Sequence, residues 1–168
     1  RARTVDAIFE TEEKVNRSLK AGAMAIGCDL EIQDTPGYFP LHQDENLTEL
    51  LKKHIRNYMD DSMIAQGTHG FASGDMGDIS MMWPTVEIGT AGFSGTIHGK
   101  DFKTADPVQA FEIPARYFAD AIEELLSDGG AAAWKIKEAF RPVMSKTDYL
   151  EKLDSLNKST NFIYSKGE

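Results

Sequence analysis

Apolar positions early in the chain recur at helical spacing. Val5, Ile8, Val15, Leu19, Ala23 and Ile26 follow one another at intervals of three, four and seven, which predicts a long amphipathic helix. Thr4 stands where a capping hydroxyl is needed, Asp6 lies in the first turn, and Gly27 marks the stop. The period then changes from 3.6 to two. Cys28, Leu30 and Ile32 alternate with Asp29, Glu31 and Gln33, the pattern of a half-buried strand with Cys28 as a small core residue. One helix and one strand bury too little apolar surface to offset chain entropy. With no partner strand evident in the sequence, this piece is expected to need strands from upstream sequence or from another chain, and residues 1–35 either to form an intermolecular contact or to pack poorly on the remainder.

Pro36-Gly37 and Pro40 then interrupt the pattern, and a domain boundary is expected near Pro36. Asn46 with Glu49 has the spacing of a capping box, and Leu47, Leu50, Leu51, Ile55 and Tyr58 supply the apolar face of the helix that follows, with Lys52, Lys53 and Arg56 toward its end. Residues 60–74 read as a loop with a short element. Val86-Glu87-Ile88 reads as a strand leading into a glycine-rich loop that ends at His98. Asp106-Pro107 and Pro114 punctuate the approach to a helix from Ile113 to Leu126, whose buried stripe is expected to be Tyr117, Phe118, Ala121, Ile122 and Leu125, with Glu123 and Glu124 in water. Asp128-Gly129-Gly130 separates it from a helix through Trp134, Ile136 and Phe140 that Pro142 ends. A polar helix from Thr147 to Leu156 and a fraying tail from Lys158 close the chain. Met81, Met82 and Trp83 read as core packing. No internal repeat or low-complexity tract is present.

Composition narrows the function class. The chain has 168 residues and a formal charge of −9, from 27 acidic and 18 basic side chains, which repels phosphate backbones and anionic lipid, so neither nucleic acid nor a membrane is expected as a partner. Cys28 is the single cysteine, so no intramolecular disulfide and no cysteine-based zinc site can form. No apolar run is long enough to span a bilayer, and a cytoplasmic location is expected.

The chemistry concentrates between Ala72 and Phe102. His98, a single histidine after a glycine-rich loop, reads on its own first as a structural or solvent-exposed residue and second as a neutral imidazole that could bind a borderline metal ion. Asp75 and Asp78 can either orient that ligand and nearby backbone or simply shape turns. Gly92 and Gly95 can offer backbone N–H groups to an anionic part of a substrate, or serve only as turn residues. His42, His54 and His69 share no ligand spacing and read as structural or exposed.

Ser73-Gly74-Asp75-Met76-Gly77-Asp78-Ile79-Ser80, followed by Pro84-Thr85 and then His98, resembles the C-terminal signature of the two-metal amidohydrolases grouped with aminoacylases and glutamate carboxypeptidases. The aminobenzoyl-glutamate hydrolase branch is the nearest in pattern. Gly74 departs from it, standing where many relatives carry threonine. The stretch from Arg1 through Gly27 to Pro36-Gly37-Tyr38-Phe39-Pro40-Leu41 resembles the later part of that family's inserted lid and its return to the catalytic domain. The resemblance implies an α/β fold: the C-terminal part of a phosphorylase/hydrolase-like catalytic domain in residues 36–168, preceded by the last helix and strand of an α+β lid, or dimerisation, domain in 1–35. It further implies that the chain is the last part of a longer enzyme using two divalent ions, zinc or manganese. The substrate would be an N-acyl or aminobenzoyl amino acid, or a small peptide-like amide. His98 would be a metal ligand, the general base would lie upstream, and the lid would form a homodimer. Alone, the chain is expected to be inactive. The rival expectation is a non-catalytic binding or assembly module.

Overall fold

A computed structural model describes residues 1–65 and 73–164 of the chain. The elements run α1 (Val5–Ile26), β1 (Leu30–Asp34), α2 (Glu45–Ile55), α3 (Met76–Ser80), β2 (Phe93–Ser94), β3 (Lys103–Thr104), α4 (Ile113–Leu126), α5 (Ala131–Ala139), α6 (Lys146–Ser155) and β4 (Lys158–Phe162). This is a mixed α/β composition, mostly helical, with two small antiparallel sheets. No described helix is long and apolar enough to cross a membrane.

The chain divides into two compact units. Among the described residues the first comprises 1–42, 73–82 and 142–164, and the second comprises 43–65 and 83–141. The division differs from a cut at Pro36, because the C-terminal residues return to the first unit. β1 pairs antiparallel with β4, Ile32 opposite Thr160 and Leu30 opposite Phe162. The strand expected to lack an in-chain partner therefore has one, and the expected fraying tail supplies it. The tail's low hydrophobicity concealed this, since β4 is almost wholly exposed and reads as polar sequence.

In the first unit, Thr4 caps α1 as expected, its hydroxyl accepting the Ala7 N–H at 3.2 Å. Gly27 ends the helix in the left-handed region at φ 69°. Val5 packs with Phe39, Met81 and Met144 in a core completed by Phe9, Met82, Tyr149, Leu153 and Leu156. The expected stripe is only partly covered: Val15, Leu19 and Ile26 are exposed. Cys28, expected in the core, is also exposed, because it precedes the paired strand. Lys158 on β4 reaches Glu12 on α1 at 2.5 Å, joining sheet to helix. Ser145, not anticipated, caps α6 through a reciprocal capping box with Asp148.

The second unit is built on α2 and α4. Leu51 and Ile55 of α2 pack on Tyr117 and Ala121 of α4, with Val86, Ile88 and Ile113 around them. Asp44, rather than Asn46, caps α2: its carboxylate accepts the Leu47 N–H at 2.7 Å. Glu49 instead pairs with Lys52. Pro114 does not interrupt α4 but sits in its first turn, where a missing N–H costs nothing; a π-type turn over Val108–Glu112 precedes it. Residues 86–88 form no ladder with any described strand, so the strand expected there is unpaired. Phe118 and Ile122, expected in the buried stripe, are exposed, since α2 covers only the Tyr117–Ala121 side of α4; Trp83, expected as core packing, is exposed as well.

Candidate functional site

The glycine-rich segment folds as a hairpin within the second unit. Phe93 pairs with Thr104 and Ser94 with Lys103, and the Gly92 carbonyl closes its base by accepting N–H groups from Ala105 (2.8 Å) and Asp106 (3.0 Å). Gly92 adopts φ 88°, and a Cβ there would lie 2.5 Å from the Ala110 nitrogen and the Asp106 carbonyl. Only glycine fits. Gly95, at φ 92°, presses equally closely on the Asp101 carbonyl. These contacts give both glycines a steric reason of their own, independent of any ligand. Asp106 then starts the next segment, its carboxylate accepting N–H groups from Val108 and Gln109.

At the hairpin's tip the Gly99 N–H donates to the Thr96 carbonyl at 2.7 Å, and the Asp101 carboxylate accepts the Thr96 N–H at 3.2 Å. His98 lies inside this turn, exposed, with φ 64°. A left-handed conformation is uncommon for a residue with a Cβ, though histidine tolerates it better than most. The backbone bonds on either side impose it. No hydrogen bond or ion pair to another described residue occupies its imidazole. Beneath the tip, Phe93 stacks on Phe102 with centroids 5.2 Å apart and meets Phe111 edge-on at 5.7 Å, stiffening the hairpin.

Asp75 and Asp78 belong to the first unit. Asp75 stands at the start of α3 with its side chain uninvolved in capping. Asp78 is engaged: its carboxylate accepts the Phe39 N–H at 2.8 Å. The phenol of Tyr149 is pushed above its usual range, first by burial and then by the nearby Asp78 charge and hydrogen bond. Ser80, wholly buried, donates to the Gly77 carbonyl at 2.6 Å and accepts the His42 N–H at 2.9 Å. Gly77 abuts the Phe39 carbonyl so closely that no Cβ fits. Gly77, Asp78 and Ser80 thus fasten α3 to the segment Phe39–His42. His42 is exposed, as expected; His69 lies outside the described residues.

A second polar cluster was not anticipated. Glu124 of α4, expected in water, accepts hydrogen bonds from Lys53 and from the ring of His54, both at 2.6 Å. Lys53 and then His54 hold its carboxyl below the ordinary carboxylate range, against the opposing effect of partial burial. Nearby, the Tyr58 hydroxyl donates to Asp120 at 2.7 Å, which raises the phenol's pKa. His54, Asp120 and Glu124, with Asn57, Glu123 and Ser127, line an open cavity of about 400 Å³. The polar residues of α2 lay on an apparently apolar helix edge, and only the helix pairing gives them partners.

No group of three or more histidine, cysteine, aspartate or glutamate side chains among the described residues is arranged to hold a metal ion. Compared with family models, curated proteins and solved structures, the chain matches none.

Proposed function

We propose that this chain is the C-terminal part of a metal-dependent amidohydrolase, in which His98 supplies one ligand to a pair of divalent ions, zinc or manganese. The parent reaction would be hydrolysis of the amide linking an acyl or aminobenzoyl group to an amino acid. The observation that carries the reading is the state of His98: an exposed imidazole with no hydrogen-bond or ion-pair partner among the described residues, fixed by the flanking hairpin bonds in a left-handed conformation. A backbone held in a sparsely populated region at the tip of a braced hairpin is a fit posture for presenting a ligand. The order of Asp75, Asp78, Pro84-Thr85 and His98 supports it from the sequence side.

The residues described do not by themselves fit a metal pair. One imidazole is short of the three protein ligands that a catalytic zinc ordinarily takes, and no further grouping is present among the described residues. The chain's own contribution is therefore to hold an imidazole in place. The remaining ligands and the general base would belong to the rest of the parent, and the chain alone would be inactive. Of the two aspartates, Asp78 acts on backbone geometry through Phe39. Gly92 and Gly95 would place peptide N–H groups near an anionic substrate only as a consequence of the turns they make.

A homodimer through the first unit and a cytoplasmic location complete the proposal. Val15 and Leu19, four residues apart on α1 and about half exposed, supply an apolar strip for that contact. Isothermal titration of zinc and manganese, followed by an amino-acid release assay with an N-acyl substrate, tests the reading. Turnover of that substrate by the chain alone would sink it, as would unchanged turnover in the parent after His98→Ala.

A further inference from the structure

We propose that Asp128 is a site of spontaneous backbone modification: its side-chain carboxyl condenses with the Gly129 amide to a cyclic imide, which water reopens to an isoaspartyl link. Asp128 is the one aspartate in the chain that a glycine follows, and no asparagine precedes a glycine. It stands in the connection between α4 and α5, where Asp128, Gly129 and Gly130 take φ values of 50°, 69° and 81°. A residue with a Cβ is uncommon in that left-handed region; the two glycines carry the turn through it. Asp128 and Gly129 are exposed, and the Asp128 carboxylate has no hydrogen-bond or ion-pair partner among the described residues. The space around Gly129 is open, with no atom within 4 Å of where a Cβ would stand. The bond that closes the turn, from the Gly130 N–H to the Ser127 carbonyl at 2.8 Å, uses neither reacting group.

The chemistry balances with water alone. The Gly129 nitrogen attacks Cγ of the protonated Asp128 carboxyl, a C–N bond forms, and the amide proton leaves with the carboxyl hydroxyl as water. Water then adds to the imide. Cleavage between the nitrogen and the main-chain carbonyl carbon leaves the chain running through Cβ with a free α-carboxylate, whereas cleavage at Cγ restores aspartate. Glycine suits the first step because it puts no side chain beside the attacking nitrogen and lets the backbone swing toward Cγ. Other aspartates that precede small residues are held. Asp61, before Ser62, binds Arg56 at 2.7 Å; Asp120, before Ala121, accepts the Tyr58 hydroxyl at 2.7 Å; Asp154, before Ser155, lies within α6. The isoaspartyl link adds one methylene to the main chain between α4 and α5, which disrupts the Ser127–Gly130 turn. The inference does not depend on the hydrolase reading.

The full chain is held near neutral pH and body temperature for several weeks and digested with trypsin, which releases residues 117–135 as one peptide. Electron-transfer fragmentation of that peptide tells isoaspartate from aspartate at equal mass. Isoaspartate should accumulate at position 128 at least tenfold faster than at any other aspartate, and less than tenfold slower than in the free peptide 117–135. In water enriched in oxygen-18 the product should carry the heavy isotope, because solvent oxygen enters when the imide opens. Asp128→Glu, which keeps the charge but would need a six-membered ring, should abolish the modification. An advantage over the other aspartates of less than tenfold, product free of heavy oxygen, or modification persisting in Asp128→Glu would overturn the inference. So would a rate tenfold or more below that of the free peptide, which would show that the folded turn withholds the Gly129 nitrogen.

Discussion

The carboxylate of Asp78 accepts the backbone N–H of Phe39 at 2.8 Å, joining positions 39 residues apart. It is the polar counterpart of the apolar contact between Phe39 and Met81 in the same core, and with Ser80 on His42 it sets the path of the chain between Phe39 and His42. Removing the acceptor leaves a half-buried N–H unsatisfied. Asp78→Ala should destabilise the chain by about 1.5–3 kcal/mol, the range for hydrogen bonds to charged groups. Asp75→Asn, whose side chain makes no cap, should cost less than about 0.5 kcal/mol. Urea unfolding of both variants decides; equal losses would mean that Asp75 has a partner that the structure does not show.

Gly92→Ala should destabilise by about 2 kcal/mol or more, since it adds both a left-handed strain and a collision with the backbone at Ala110 and Asp106. Gly89→Ala is the control, with open space around the site. If the two variants melt at the same temperature, the hairpin base is looser than described.

How much of this was legible in the sequence depended on whether a residue's partner was near it in the chain. α1 with its Thr4 cap and Gly27 stop was readable because every determinant lies within one helix. The Ile113–Leu126 helix was readable too, but not which half of it would be buried, because that depends on where α2 docks. β4 escaped because its register is set by β1 and its side chains stay wet, so no alternation marks it. The acidic motif was visible as a motif, yet its polar groups face Phe39 and His42, contacts that no local pattern encodes. His54 and Glu124 are separated by 70 positions; neither carries a signal until their helices meet.

For His98 the expected behaviour is functional without being structural. Its ring has no partner among the described residues and its φ is positive, so His98→Ala should leave stability within about 0.5 kcal/mol. His98→Gly should raise it by a few tenths of a kcal/mol or more, because glycine occupies the left-handed region without a Cβ penalty. In the parent enzyme proposed above, both variants should lose most of their turnover. A large drop in thermal stability for His98→Ala would instead assign the imidazole a structural role.

The clasp on Glu124 gives a pH dependence with a definite sign. Its carboxyl is held below the ordinary range by Lys53 and His54. A depressed folded-state pKa contributes stability that is fully present above the unfolded value and lost as pH falls through the folded one. Glu124→Gln should therefore be less stable than the unaltered chain near neutrality. The gap should begin to shrink as pH falls through about 4.3, the ordinary glutamate value, and close once the folded carboxyl is protonated as well. Added salt should narrow it as well, since Lys53 is largely exposed. A gap that persists unchanged into strong acid would show that the packing of Glu124, not its charge, holds α2 to α4.

Pairing of β1 with β4 makes the C-terminal residues part of the first unit's fold, and this can be separated from any contact between chains. Thr160, opposite Ile32 in the register, is exposed, so its side chain contributes little packing, whereas its backbone belongs to the ladder. Thr160→Pro removes a donor and crowds the strand. It should speed exchange of the ladder amides between Leu30 and Asp34 by tenfold or more, while leaving α2 and α4 in the second unit protected. Thr160→Ala should do almost nothing. The effect should be independent of protein concentration, because the pairing lies within one chain. Fast exchange of these amides in the unaltered chain at low concentration, slowing as the concentration rises, would place their partner on another molecule and overturn the register of β1 on β4.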